Sequence, residues 1–141
     1  MKIVINNDYG GFGLSPFAYR ELLRRRGQNA YFYKQVKYNW RDGEDLYERI
    51  DGEVKNELFI RCVNKDHGAY TDNLERETIV YFRDDVRKDA DLIAIIEEYG
   101  SRKCSGMCAS LKVIEIPDDV EWEIDEYDGL ESIHEVHRVW Y

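Results

Sequence analysis

One stretch near the N-terminus, Asn6-Asn7-Asp8-Tyr9-Gly10-Gly11-Phe12-Gly13-Leu14-Ser15, constrains the fold more than any other. The β-branched run Lys2 to Asn6 before it reads as a strand. After it, Ser15-Pro16 announces a helix, because Ser is a preferred N-cap and Pro suits the first helical position. A strand must therefore pass into a helix through a short loop rich in glycine, the residue that takes positive φ without steric cost. In the helix, Phe17, Ala18 and Leu22 form the apolar face, flanked by Leu14 or Glu21. Arg20 and Arg24 to Arg26 cover the other face and suit the C-terminal end of the helix dipole. Gly27 is the expected stop, and the aromatic, β-prone segment Asn29 to Tyr38 follows as a second strand. This strand, helix, strand order resembles a β-α-β unit, with the pairing order left open.

Further along, Arg41-Asp42-Gly43 and Ile50-Asp51-Gly52 read as turns, and Glu57 to Val63 and Thr78 to Phe82 as strands. Asn64 to Glu77 reads as a mobile loop. The second helix runs from Asp89 to Tyr99, with Leu92, Ile93, Ile95, Ile96 and Tyr99 as its apolar face, Asp89 as cap and Gly100 as terminator. Ser101 to Ala109 is a Gly/Ser/Cys loop, and Leu111 to Ile116 a strand stopped by Pro117. A C-terminal hairpin joins Glu121 to Tyr127 with Leu130 to Tyr141 through Asp128-Gly129, a dipeptide suited to the positive φ angles of a type I′ turn. The expected fold is a single α+β domain over residues 1–141: a mixed or antiparallel sheet, two helices on one face and a C-terminal β-hairpin.

Composition narrows the function. With 11 Tyr, 5 Phe and 3 Trp spread along 141 residues, the chain carries far too many aromatics for a disordered protein. A net charge of -9 disfavours general nucleic-acid binding, since phosphate backbones repel an acidic surface. The charge is uneven. Seven basic residues lie between Arg20 and Arg41 against one acid, Glu21, whereas Val113 to His137 holds ten carboxylates and no Lys or Arg. Opposite ends of that kind attract within a monomer or across subunits, and a homo-oligomer is the expectation. No apolar run approaches the ~20 residues of a membrane span, and Met1 to Asn6 turns polar too early for a secretory leader. Three cysteines in such a chain are expected as reduced thiols in a cytoplasmic setting.

The N-terminal loop is the main candidate for chemistry. Its glycines let backbone approach a ligand closely, and free N–H groups at a helix start hold anions. Tyr9 and Phe12 are placed to stack on a ring, and Asn6 and Asn7 to read polar edges. The glycine spacing fits neither a dinucleotide fingerprint nor a P-loop. The competing reading is a tight strand-to-helix turn with stapling aromatics.

Cys104 and Cys108, with Cys62, His67, His134 and His137, invite a zinc reading. Residues three apart on a strand face opposite ways, so His134 and His137 would not share one metal. No second close Cys pair exists, and no metal or other cofactor is expected. His134, Glu135, His137 and Arg138 form a weak proton-transfer group and a better binding edge, in which Arg138 pairs with phosphate and Trp140 or Tyr127 stacks. The acidic stretch Glu115 to Glu135 lacks the order of an EF-hand loop and reads as a solvated face.

Two segments carry a resemblance: Val4 to Ser15, and Ile116-Pro117-Asp118-Asp119-Val120-Glu121-Trp122-Glu123-Ile124-Asp125-Glu126-Tyr127-Asp128-Gly129 continuing to His137-Arg138-Val139-Trp140. With the helix around Asp91 to Gly100, they resemble a group of small uncharacterised proteins encoded by bacteriophages and prophages. That group brings no assigned activity and no catalytic residues. The resemblance implies a setting, in which such accessory proteins counter host defences by sequestering or cleaving nucleotide signals or by blocking a host protein.

Together these readings give a cytoplasmic binding protein rather than an enzyme. It would capture a phosphate-containing, nucleotide-like ligand through Asn6, Asn7, Tyr9, Gly10, Gly11, Phe12, Ser15, Arg20, Arg138 and Trp140. Two alternatives stand beside it. One is an inhibitor that places the acidic hairpin on a host protein; the other is a nucleotide-cleaving hydrolase that uses His134 or His137.

Overall fold

A computed structural model describes residues 1–38, 44–57, 59–82 and 84–136. In chain order the elements are β1 (Lys2–Asn6), α1 (Pro16–Arg25), β2 (Tyr31–Lys37), β3 (Leu46–Arg49), β4 (Ile60–Val63), β5 (Tyr70–Thr71), α2 (Ala90–Tyr99), α3 (Ser101–Cys104), β6 (Leu111–Glu115), β7 (Trp122–Tyr127) and β8 (Leu130–Glu135). Two 3₁₀ turns, Arg76–Thr78 and Asp84–Lys88, precede α2. The class is α+β, and all strand pairing among the described residues is antiparallel.

Among the described residues the strands form three small sheets: β1 with β6, a four-stranded sheet in the order β4-β2-β3-β5, and the β7–β8 hairpin. The β-α-β expectation is thereby corrected, because β1 and β2 belong to different sheets. Ile3, Val4, Ile5 and Asn6 are all buried, so β1 is covered on both faces rather than on one. Its register partner comes from far along the chain, with Lys2 opposite Glu115 and Asn6 opposite Leu111.

α1 joins the two main layers. Ala18 and Leu22 pack with Val4, Leu92, Ile95 and Leu111 in the core over β1 and β6. One residue on, Leu23 packs with Phe32 and Cys62 of the four-stranded sheet. Full burial of a leucine stabilises by roughly 1.5–3 kcal/mol, so this one helix contributes to both cores at once. The opposite face of the four-stranded sheet is closed by Tyr33, Val63 and Leu74.

The helix ends follow the sequence. Ser15 caps α1 and Asp89 caps α2, its carboxylate accepting from the Asp91 and Leu92 amides, and Gly100 ends α2 at φ +89°. α2 stops there, and the single turn α3 occupies part of what reads from sequence as loop. The hairpin turn has positive φ at both Asp128 (49°) and Gly129 (87°), as a type I′ turn requires.

Two stretches differ from expectation. Thr78 to Phe82 forms no regular strand; it follows β4 as an irregular edge through a Val63–Ile79 bridge and a Val80 N–H to Cys62 carbonyl bond. The Thr78 hydroxyl donates to the Glu75 carbonyl and ties this segment's start into a 3₁₀ turn. Asn64 to Glu77, read as a mobile loop, contains β5 and is pinned. Asp66 accepts from the Gly68 amide and Arg49, and His67 Nε2 accepts from the Glu75 amide. The expected turn at Arg41-Asp42-Gly43 and the end of the C-terminal strand beyond residue 136 lie outside the described residues.

Candidate functional site

The Gly-rich loop leaves β1 at Asn6, whose side-chain amide and backbone N–H are spent on the protein. The side-chain amide donates to the carbonyls of Asp8 (2.6 Å) and Gly129 (2.7 Å), its oxygen accepts from the Ser110 amide (2.8 Å), and its own backbone N–H donates to Glu131 Oε1 (2.7 Å). Asn6 therefore fastens the loop to the C-terminal hairpin and to the start of β6. Asn7 and Tyr9 stand exposed.

Three glycines let separate backbones meet here. A Cβ on Gly10 would lie 2.7 Å from the Cys108 carbonyl oxygen, and one on Gly106 would lie 3.0 Å from the Gly13 carbonyl carbon. One on Gly129 would collide with the amide nitrogens of Gly11 and Gly10. Hydrogen bonds close the same contacts, from Gly10 N–H to the Asp128 carbonyl (2.9 Å) and from Gly106 N–H to the Gly13 carbonyl (2.8 Å). The amides of Gly11, Phe12 and Gly13 have no hydrogen-bond partner among the described residues.

Between this loop and the four-stranded sheet opens a groove of about 380 Å³. Gly10 to Leu14 form one wall, Gly106 to Ala109 a second, and Phe32, Ile60, Cys62 and Val80 the floor; Tyr19 of α1, Asn56 and Tyr81 add to the lining, as do the charged residues Glu57 and Arg61. Asn56 holds the walls in place by donating to the Ser105 carbonyl at 2.9 Å. Ligand pockets commonly run from ~300 to 1,000 Å³ with mostly apolar linings and a few oriented polar groups, which matches this composition. Burial pushes the Cys62 thiol up to about 12 against the opposing influence of Arg20, and raises the Tyr19 phenol. Both side chains accordingly act as neutral surface at physiological pH.

Of the residues singled out from sequence, Gly10, Gly11 and Phe12 line the groove. Ser15 lies at its margin but is committed: its hydroxyl accepts from the Ala18 amide and donates to the Lys103 carbonyl at 2.6 Å. Arg20 projects from α1 with its guanidinium 5.1 Å from the Phe32 ring, and borders a neighbouring hollow of about 290 Å³ with Arg49 and Asp66. Arg138 and Trp140 lie outside the described residues, as does His137. Sequence reasoning missed Phe32, Ile60, Cys62 and Met107. The one signal for them was Gly106 between Ser105 and Met107, a small residue that permits the second wall to touch the first.

Behind the loop sits a buried ion pair that sequence reasoning also missed. Arg87 donates in a fork to Glu131, with Nη1 to Oε1 at 2.7 Å and Nη2 to Oε2 at 2.8 Å. The same guanidinium lies 4.1 Å from the centroid of the Phe12 ring.

Among the described residues, no cluster of three or more His, Cys, Asp or Glu side chains is arranged to hold a metal. Cys104 is buried with its sulfur toward the Ile95 carbonyl, and His67 is engaged by Glu75 and Thr78. His134 lies exposed on the hairpin, opposite Glu123 and 2.8 Å from the Ser132 hydroxyl, away from the groove. No helix among the described residues is long and apolar enough to cross a membrane. No family model, curated protein or solved structure matches this chain.

Proposed function

We propose that this protein binds a small, ring-bearing, phosphate-containing molecule of nucleotide-like chemistry in the groove, and acts by holding it. The observation that carries this reading is the groove's composition. Phe12, Tyr19, Phe32 and Ile60 give it aromatic and aliphatic surface, and the loop that forms one wall carries Gly11, Phe12 and Gly13 amides with no protein partner among the described residues. A ring stacks on such walls, and unpaired amides beside a helix start favour an anionic group. Arg20 borders a neighbouring hollow, and the groove's own lining includes the cation Arg61 as well as the carboxylate of Glu57. The resemblance to phage-encoded accessory proteins supplies the setting, sequestration of a nucleotide signal used in host defence. Isothermal titration against AMP, cyclic nucleotides and ADP-ribose derivatives tests the reading. Saturable binding of one member supports it, and uniform absence of heat across the panel sinks it.

A second reading rests on a different surface. The outer face of β7–β8 presents Glu123, Asp125 and Tyr127, with Tyr127 71% exposed. Such a face suits a basic patch on a host protein. A partner recovered from host lysate and lost on charge reversal at Glu121, Glu123 and Asp125 would favour this reading over the first.

A further inference from the structure

The Gly-rich loop does not fix its own shape. Besides the start of β6 and the Gly106 segment, its anchors come from the C-terminal hairpin and from the 3₁₀ turn Asp84–Lys88, elements remote in sequence. Glu131 Oε1 accepts from both Asn6 N–H and Arg87 Nη1, each at 2.7 Å, so one carboxylate oxygen joins the end of β1 to that turn. Gly10 N–H closes on the Asp128 carbonyl, and the Asn6 side chain closes on the Gly129 carbonyl. Arg87 meanwhile covers one face of Phe12.

We propose that Arg87 and Glu131 are positioning residues of the groove, and that the β7–β8 hairpin is the clamp through which they hold Phe12 and Gly10 to Gly13 in ligand-accepting form. The proposal rests on the ligand reading above for its purpose, though not for its geometry. Side-chain exposures of 8% and 7% place both charges out of water. A buried ion pair is often no more stabilising than apolar residues of the same volume, so stability alone is a weak reason for one here. Orientation is a better reason. The planar fork fixes the guanidinium in two dimensions, and its flat face then fixes the Phe12 ring. With one face of Phe12 occupied by the cation, the rest of the ring is left to border the groove.

The test uses the double variant R87M/E131Q, in which E131Q keeps an oxygen for the Asn6 amide and no charge is left buried alone. Amide exchange is followed in the ligand-free protein at Gly10 and Gly106, with the β1–β6 ladder as internal reference, together with the Phe12 ring chemical shifts and calorimetric affinity for AMP. The expected result is exchange at least ~10-fold faster at Gly10 and Gly106 with the ladder unchanged. Shifted or broadened Phe12 ring signals and AMP affinity reduced ~10-fold from loss of preorganisation complete the pattern. Unchanged loop exchange and Phe12 shifts overturn the clamp, as does uniform acceleration of all amides, which would mark general destabilisation. Faster loop exchange in a protein whose wild type binds no nucleotide upholds the clamp and counts against the ligand reading alone.

Discussion

Gly129 and Gly52 offer a matched pair for measuring how tightly the hairpin is seated. Both have φ +87°, so Ala costs each of them the same left-handed backbone strain, roughly 1–2 kcal/mol. Their surroundings differ. A Cβ at Gly52 meets nothing within 4 Å, whereas one at Gly129 comes within 2.6 Å of the Gly10 nitrogen and 2.8 Å of the Gly10 carbonyl carbon. Those neighbours are backbone, which cannot swing aside as a flexible side chain does. Relieving the overlap by displacing packed atoms adds about 1–3 kcal/mol. G52A should therefore lose about 1–2 kcal/mol and G129A about 2–5. At a urea dependence of ~1–3 kcal/mol per molar, the G129A midpoint falls about 1 M below that of G52A, and by no less than ~0.3 M. Circular dichroism reports the whole chain, and tryptophan fluorescence includes Trp122 of the hairpin. Midpoints for the two variants within ~0.3 M of each other would refute the close backbone contact.

Three further outcomes follow from the same structure. Cys108 is exposed while Cys62 and Cys104 are buried, so a thiol reagent at pH 8 should modify one cysteine per folded chain rapidly and the other two only on unfolding. Burial raises Cys62 to about 12 and Cys104 to about 11 from an ordinary 9.0, so on alkalinisation the unfolded chain loses these protons first. Their contribution is complete below pH ~9 and declines as pH rises toward 11–12, by up to ~1.4 kcal/mol per pH unit for each thiol; Cys62→Ala should flatten the decline in denaturation curves taken between pH 8.5 and 10.5. Replacing Ser15 by Ala removes both the α1 cap and the bond to the Lys103 carbonyl, and chemical denaturation should show a loss of about 1–2 kcal/mol.

Local chemistry made much of the fold legible. Ser15-Pro16, Asp89, Gly100 and Asp128-Gly129 act through neighbours one to four residues away, and each stands where its propensity places it. Pairing between strands was not legible, because the partner of β1 lies more than a hundred residues on and several β-prone segments compete for it. β3 and β5 escaped notice for a different reason: four- and two-residue strands leave too short a pattern to read. At the site, the loop itself stood out by composition, but its purpose divides. Asn6 and Ser15 looked like ligand-facing polar groups and prove to be internal fastenings. Glycines that suggested a ligand cradle also serve the contact of three protein backbones. The facing wall, Gly106 to Ala109, comes from a segment whose cysteines drew attention for zinc. Arg87 and Glu131 carried no signal, since each is an ordinary charge until the fold buries the pair.

The central claim is that the groove between the Gly-rich loop and the four-stranded sheet takes a nucleotide-like ligand. Titrating isotope-labelled protein with ADP-ribose and AMP, and mapping the amide shifts residue by residue, tests it most directly. Saturable shifts at Gly11, Phe12, Gly13, Met107 and Cys108, with Glu123 and Asp125 unmoved, are the predicted result. A spectrum unchanged at millimolar nucleotide, or shifts confined to the outer face of the β7–β8 hairpin, would contradict it.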